Sequence, residues 1–147
     1  MPGATRSSTV EWHRAQVTPR LAALAAYQHS LSTPPPPAFS FDPADAEAGR
    51  ALFAGAARCS ECHSGPTFSD GRLHPAAAVG TDPRHAQRSA TGLYRATPLR
   101  GLWQHPPYFH DGSAATLEDV VRHYDGHLHL GLNDAQVRVL VEYLKSL

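Results

Sequence analysis

Two cysteines and a histidine form one short motif near the middle of the chain. Cys59, Cys62 and His63 read C-x-x-C-H, and the chain of 147 residues contains no other cysteine. Two thiols at this spacing can each form a thioether bond to one vinyl group of a haem, and the histidine that follows can coordinate the iron. The motif therefore predicts one covalently bound haem c, held by Cys59 and Cys62, with His63 as an axial ligand.

Three other interpretations of the cysteines compete with haem attachment. A redox dithiol is one, but no βαβ pattern of a thioredoxin-like fold surrounds the pair. Half of a zinc site is another, since the chain has ten histidines, but no second C-x-x-C and no His-x₃₋₅-His pair stands at finger-like distance with a strand signal. A small structural disulfide is the third. The histidine directly after the second cysteine has a role only in haem attachment and favours it.

Most sequence patterns around this motif predict helices, and no convincing alternation of apolar and polar residues predicts a strand. These helices must position the motif. Four helices are predicted to begin where a capping residue precedes an apolar stripe, at Thr18-Pro19, Asp42-Pro43, Thr116 and Asn133. Gly49 costs roughly 1 kcal/mol relative to alanine inside a helix, which is tolerable where another helix approaches closely. We therefore expect Gly49 and Phe53 to pack against the last helix, near Leu140, Tyr143 and Leu144.

Two proline- or glycine-rich segments divide the chain. The four consecutive prolines at residues 34–37 must be extended linker, so residues 1–37 are predicted as a helical extension with a proline-rich linker and residues 38–147 as the haem domain. Residues 64–97 are longer than the ~12–15 residues usual for an irregular loop, but a large flat ligand can organise such a loop around itself. The predicted fold class is all-α and cytochrome c-like, with short helices and long haem-wrapping loops.

Charge and hydropathy narrow the functional classes. Lys plus Arg and Asp plus Glu both number 13, which gives no electrostatic case for binding nucleic acid or an anionic membrane. The longest apolar stretch, residues 21–27, is far below the ~20 residues of a membrane-spanning segment. No secretory leader is visible, although haem attachment is normally completed outside the cytoplasm. We expect a periplasmic or otherwise extracytoplasmic protein whose leader has been removed, or a part of a longer precursor.

Residues 97–125 read TPLRGLWQHPPYFHDGSAATLEDVVRHYD and resemble one family segment. The pattern is similar to T-P-x-L-R-N-v, then a-P-Y-f-H-D-G-s-x-x-T-L-e-e-V-V, in the C-terminal haem domain of bacterial di-haem cytochrome c peroxidases and MauG-type enzymes. The similarity begins loosely near Phe41, includes the C-x-x-C-H motif and the G-P-x-F-S-D of residues 65–70, and reaches the C-terminus. Gly101 replaces the asparagine of that pattern.

The resemblance implies an electron-transfer function. Members of the family carry two haems in two domains and reduce peroxide at the N-terminal haem, whereas this chain has cysteines for one haem and resembles the other half. Its partner would be a second haem domain or a redox partner protein, and it would have no catalytic residue. The alternative is a peroxidase-like haem enzyme acting with a second haem domain on another chain or on a missing N-terminal part. Cyanide or carbon monoxide separates the two, since a strongly six-coordinate iron binds neither readily.

The sixth iron ligand stays open at the level of sequence. Methionine is the usual choice in high-potential haems, but the only methionine is Met1. The resemblance places Tyr124 where the peroxidases carry methionine and where MauG-type enzymes carry tyrosine, and Tyr124 shares the apolar stripe of its helix. A hydrogen-bonded core tyrosine is the plain alternative, and His123 and His127 are alternative ligands.

The sequence predicts roles for further arginines and histidines, but the patterns that support these roles are less specific. Arg95 and Arg100 are candidates to bind the haem propionates, because a guanidinium suits a carboxylate, although both could equally be solvated arginines. His110 is predicted to lie close to the haem without binding iron. The other histidines are expected on the surface or in loops: His13, His29, His74, His85 and His105.

Overall fold

The computed structural model describes Glu11 and residues 14–147, and the chain divides into two units. One unit ends at Thr33, and the other comprises Pro34–Leu147. The boundary predicted from the sequence follows Pro37, at the far end of the four prolines, and it stays a prediction. Of the described helices, none combines the length and the apolar character needed to cross a membrane.

The first unit contains helix α1 (Leu21–Ser30), which follows a 3-10 turn at Thr18–Arg20. Residues 14–17 are already helical, and no side chain caps the turn. The predicted helix start at Thr18 is therefore wrong. Pro19 lacks the N–H that an α-helical bond would need, and a short 3-10 segment accommodates it inside a longer helical run. The helix ends before the prolines, as predicted.

The second unit holds four further helices and a minimal sheet. The helices are α2 (Pro43–Ala54), α3 (Ala76–Val79), α4 (Leu117–Leu128) and α5 (Asp134–Lys145), and 3-10 turns lie at Cys59–Glu61, Ala86–Arg88 and Leu102–Gln104. Strands β1 (Leu73–His74) and β2 (Tyr94–Arg95) pair antiparallel. The sequence did not predict this pair, because two residues are too few to show a period of two.

Side-chain caps define the starts of the three longest helices of this unit. The carboxylate of Asp42 accepts hydrogen bonds from two backbone N–H groups of the first turn of α2, and Pro43 follows it. Thr116 begins α4 and Asn133 begins α5, each within a reciprocal capping box. These predicted caps are confirmed, and each satisfies backbone donors that would otherwise have no partner.

The core lies where α2 crosses α5. A Cβ atom on Gly49 would collide with the carbonyl oxygen of Val139 and lie 2.8 Å from Cβ of Tyr143, so only glycine allows this approach. Phe53 packs edge-on against Tyr143, with ring centroids 5.2 Å apart. The predicted contact between the two helices is confirmed. Core residues share strong burial and come from α2, α4, α5 and their flanks: Phe53, Ala57, Tyr108, Ala114, Leu117, Val121, Val137, Leu140, Tyr143 and Leu144.

Candidate functional site

The C-x-x-C-H segment leaves the end of α2 and folds into one tight turn. Arg58 has a left-handed backbone (φ 57°), which redirects the chain away from the helix, and its guanidinium pairs with Glu61 at 2.8 Å. The backbone N–H of His63 then bonds to the carbonyl of Cys59 at 2.9 Å. The turn therefore presents both cysteines and His63 from about one helical turn of backbone.

His63 is half-buried and its ring is oriented by a backbone carbonyl. Its Nδ1–H donates to the carbonyl oxygen of Phe68 at 3.1 Å, which fixes the tautomer and leaves Nε2 free to bind a metal. Burial lowers the pKa of His63, although the neighbouring carbonyls of Phe68 and Thr97 act in the opposite direction. The imidazole is thus held neutral, as a metal ligand must be.

Both cysteines are unpaired thiols in surroundings that disfavour the thiolate. Burial raises the pKa of the Cys59 thiol to about 11. Burial also raises the pKa of Cys62, with the carboxylates of Asp70 and Glu61 adding to the effect. Reactive dithiols of the C-x-x-C type need a lowered pKa. The raised pKa values therefore speak against the redox dithiol.

His74 lies beside Cys62, contrary to the prediction that it is a surface or loop histidine. Its Nδ1 is 4.0 Å from Sγ of Cys62, and its Nε2 contacts the carboxylate of Asp70 at 3.1 Å, both side chains being largely buried. The Asp70-Gly71 turn and the β1–β2 pairing bring it back to the motif. The sequence indicated a turn at Asp70-Gly71. It did not predict that His74 returns to Cys62, because that position depends on the pairing of β1 with β2.

Cys62, Asp70 and His74 form the one group of three potential metal ligands among the described residues, with ligand atoms within 4.8 Å of one another. A zinc ion there would use the thiolate of Cys62 and leave Cys59 without a role. A thioether at Cys62 would remove that thiolate. Zinc binding and haem attachment are therefore mutually exclusive at this cysteine.

Tyr124 of α4 is partly buried. Burial raises the pKa of its phenol, and negative charge on Cys62 and Cys59 would raise it further. Phe109 packs edge-on against the Tyr124 ring, with centroids 5.8 Å apart. Tyr124 therefore lies within electrostatic range of both cysteines.

His123 and His127, the alternative ligands, both pack against the end of α3, and the His123 ring also packs against Phe109, with centroids 4.7 Å apart. Nε2 of His123 lies 3.4 Å from the carbonyl oxygen of Val79. A Cβ on Gly80 would lie 2.6 Å from the ring of His127 and 3.0 Å from Nε2 of His123. The two imidazoles stack at 6.2 Å and cover the end of α3.

Arg95 and Arg100 are both exposed. Arg95 belongs to β2 and is paired through its backbone with Leu73. Arg100 is engaged with the loop after the C-x-x-C-H motif, since its Nε donates to the carbonyl oxygen of Pro66 at 2.5 Å. Its guanidinium also lies over the ring of Phe68, at 5.5 Å from the centroid. The structure therefore distinguishes the two arginines, which the sequence did not.

His110 joins the P-Y-F-H-D-G turn to the long loop. Its Nε2–H donates to the hydroxyl of Tyr94 at 3.2 Å, because that hydroxyl gives its own proton to the carbonyl of Asp82 at 2.7 Å. Its Nδ1 accepts from the hydroxyl of Thr81 at 3.1 Å. Its hydrogen-bond partners are therefore Thr81 of the long loop and Tyr94 of β2. Of the other histidines, His29, His85 and His105 are exposed as predicted, and His13 lies outside the described residues.

Several known proteins are similar to this chain in sequence. A family model described as RoxA-like, cytochrome c-like matches residues 92–125. The methylamine utilization protein MauG of Methylorubrum extorquens is 36% identical over 120 residues, which cover 70% of this chain and 33% of that protein. The cytochrome c peroxidase IdrP1 of Denitromonas iodatirespirans is 29% identical over 93% of this chain and 51% of its own length. The chain belongs to the MauG and di-haem cytochrome c peroxidase family.

The MauG and peroxidase relatives are longer than this chain, which covers between 33% and 51% of their lengths. Cytochrome c551 peroxidase of Nitrosomonas europaea, for example, is 31% identical over 67% of the chain and 33% of that protein. A solved structure of the hydrazine synthase of Kuenenia stuttgartiensis superposes with a TM-score of 0.61 and 25% identity, covering 87% of this chain and 55% of that one. The domain is thus cytochrome c-like.

The residues present fit the haem c that the MauG and peroxidase family implies. Two thiols and a neutral imidazole, whose ring is oriented through Nδ1, share one turn. The donor set is that of a haem c site.

Proposed function

We propose that this domain transfers single electrons through one haem c, bound covalently by Cys59 and Cys62 and coordinated by His63 and Tyr124. The proposal rests chiefly on one observation, the tight turn that presents both thiols together with the oriented imidazole of His63. Membership of the MauG family supports it.

The proposed mechanism assigns each residue a binding or positioning role. When bound, the haem would supply a one-electron iron couple whose potential depends on its ligands and burial. His63 keeps its ring fixed through Phe68, which makes the imidazole a stronger electron donor. Tyr124 would offer a phenolate oxygen to the iron. The mechanism requires no general acid or base.

Arg95 and Arg100 are proposed partners of the haem propionates. Arg100 has its Nε engaged by Pro66, so its terminal amino groups are the ones available for a carboxylate. A guanidinium can hold a carboxylate and a carbonyl simultaneously because its donors point in different directions.

We further propose that residues 38–147 form the mono-haem domain. Residues 1–37 would connect this domain to a second haem domain, or the domain would exchange electrons with a separate redox partner protein. The protein would work in the periplasm. The greater length of the relatives supports a second domain. A peroxidase-like enzyme assembled with such a domain is the second candidate, favoured by the names of the relatives.

The test is to produce the chain in a host competent for cytochrome maturation and to measure its intact mass and its pyridine haemochrome spectrum. We expect one haem per chain and a spectrum typical of two thioether bonds. A double variant, Cys59→Ala with Cys62→Ala, should lose the covalent haem.

His74→Ala is the matched control, since it removes a ligand of the competing zinc site and leaves the C-x-x-C-H motif intact. Haem attachment should be unchanged in that variant. A colourless protein at the mass of the bare polypeptide, or one that retains zinc stoichiometrically through Cys62, would disprove the proposed function.

A further inference from the structure

The carbonyl that orients His63 belongs to a residue in an unfavourable backbone conformation. Phe68 has φ 56°, in the left-handed region, which is unfavourable for a residue that carries a side chain. Such a conformation persists only where surrounding contacts hold it. The Phe68 ring does have such contacts, with centroids 6.1 Å from Phe53 and 6.4 Å from Tyr143.

Arg100 adds two contacts to the same short loop from another part of the chain. Its Nε donates to the carbonyl of Pro66 at 2.5 Å, and its guanidinium covers the outer face of Phe68 at 5.5 Å from the centroid. Beside it, the backbone N–H of Leu99 donates to the carbonyl of Thr67 at 3.2 Å. Three successive residues of the loop, 66–68, are therefore held by residues 99 and 100.

We infer that Arg100 is a positioning residue for the iron ligand, acting through Pro66 and Phe68 on the hydrogen bond that orients His63. This inference rests on the proposed haem function and assigns Arg100 a role separate from propionate binding. Arg100 holds the loop at both its backbone and its aromatic side chain, so the Phe68 carbonyl stays at hydrogen-bond distance from Nδ1 of His63.

The expected effect has a definite sign. A carbonyl that accepts from Nδ1–H makes the imidazole a better electron donor and stabilises the oxidised iron. Loosening the loop weakens that bond and raises the reduction potential. Removing the positive charge of Arg100 would act in the opposite direction, because a nearby cation favours the reduced state. The informative variant must therefore keep the charge.

Arg100→Lys meets that requirement, since lysine keeps the charge but lacks the planar guanidinium and its Nε donor. We expect a more positive midpoint potential and faster solvent exchange of the His63 Nδ1 proton, measured by NMR on the reduced protein. Phe68→Leu, which removes the aromatic platform without changing charge, should shift both quantities in the same direction. Arg138→Lys should change neither, because Arg138 pairs with the carboxylate of Asp45 in α2.

The outcomes separate this inference from the proposed function. If the wild-type chain carries no haem, the proposed function fails before Arg100 is tested. If haem is attached and Arg100→Lys leaves the potential and the proton exchange unchanged, the positioning role is disproved. A potential that changes without faster exchange, and with an altered pH dependence, would assign Arg100 to the propionates alone and equally overturn the inference.

Discussion

The phenol of Tyr124 has to lose its proton before its oxygen can bind a ferric iron as a phenolate. In the polypeptide without haem, burial and the neighbouring thiols of Cys62 and Cys59 raise its pKa, so the residue is protonated at neutral pH. A bound iron ion would add a positive charge, which favours the phenolate. Ligation by Tyr124 would therefore follow attachment of the haem.

Replacing Tyr124 with Phe should therefore change the absorption spectrum of the oxidised haem and raise its midpoint potential. A phenolate donates electron density to iron and stabilises the oxidised state, whereas phenylalanine offers no ligand atom. Spectroscopy of the oxidised protein and a redox titration measure the two effects.

His123→Gln and His127→Gln are the controls for that substitution. Both rings pack against Val79 and Gly80, so both variants should keep the wild-type spectrum. An unchanged spectrum in the Tyr124 variant, together with an altered one in either histidine variant, would transfer the ligand role to that histidine.

Residue-scale features were predictable where chemistry depends on spacing alone. Cys59, Cys62 and His63 could be proposed as the attachment site because attachment needs neighbours in sequence, and that assignment stays a prediction. His74 could not, because its contact with Cys62 depends on a reversal of the chain and a two-residue strand pair. The hydrogen bond from His63 to the Phe68 carbonyl could not be predicted either, because every residue type has a backbone carbonyl.

At the scale of elements, the crossing of α2 and α5 depends on a missing side chain. Gly49→Ala should destabilise the protein by about 2 kcal/mol, as is typical of overpacking, because the new methyl group would meet the backbone of Val139 and the Cβ of Tyr143. Equilibrium unfolding in denaturant measures the loss.

Gly126→Ala is the matched control, a glycine inside α4 whose added Cβ would meet nothing within 4 Å. Alanine there should stabilise the protein by up to about 1 kcal/mol through helix propensity. Equal effects of the two substitutions would show that Gly49 acts through propensity and not through the close approach.

Element starts were predictable where a side chain supplies the signal. Asp42, Thr116 and Asn133 cap as expected, because a short polar side chain before an apolar stripe satisfies the first N–H groups locally. The predicted helix start at Thr18 is wrong because residues 14–17 before it are already helical. The pairing within residues 64–97 depends on contacts distant in sequence, such as Leu73 with Arg95.

At the scale of the whole molecule, one carboxylate links the two ends of the haem domain. Glu142 of α5 accepts from the backbone N–H of Asp42, the cap of α2, at 2.7 Å and from Lys145 at 2.7 Å. Burial by itself would raise the pKa of Glu142, but Lys145 and the Asp42 N–H outweigh it, and the pKa is lowered. The contact therefore joins residues 100 positions apart.

Glu142→Gln should destabilise the domain at neutral pH by about 1.5 kcal/mol or more, because a hydrogen bond to a charged group contributes roughly 1.5–3 kcal/mol. A carboxylate whose folded pKa is depressed contributes stability above its unfolded pKa, ~4.3, and loses that contribution as the pH falls through the folded value. The difference between wild type and variant should therefore shrink on acidification, measured by unfolding at about pH 7 and about pH 3. Glu47→Gln is the control. Glu47 also has a lowered pKa beside Arg50, but both partners are mostly exposed, and an exposed pair contributes little to stability. A loss in Glu142→Gln that persists undiminished at acid pH, or an equal loss in both variants, would show that the carboxylate charge does not tie α5 to the start of α2.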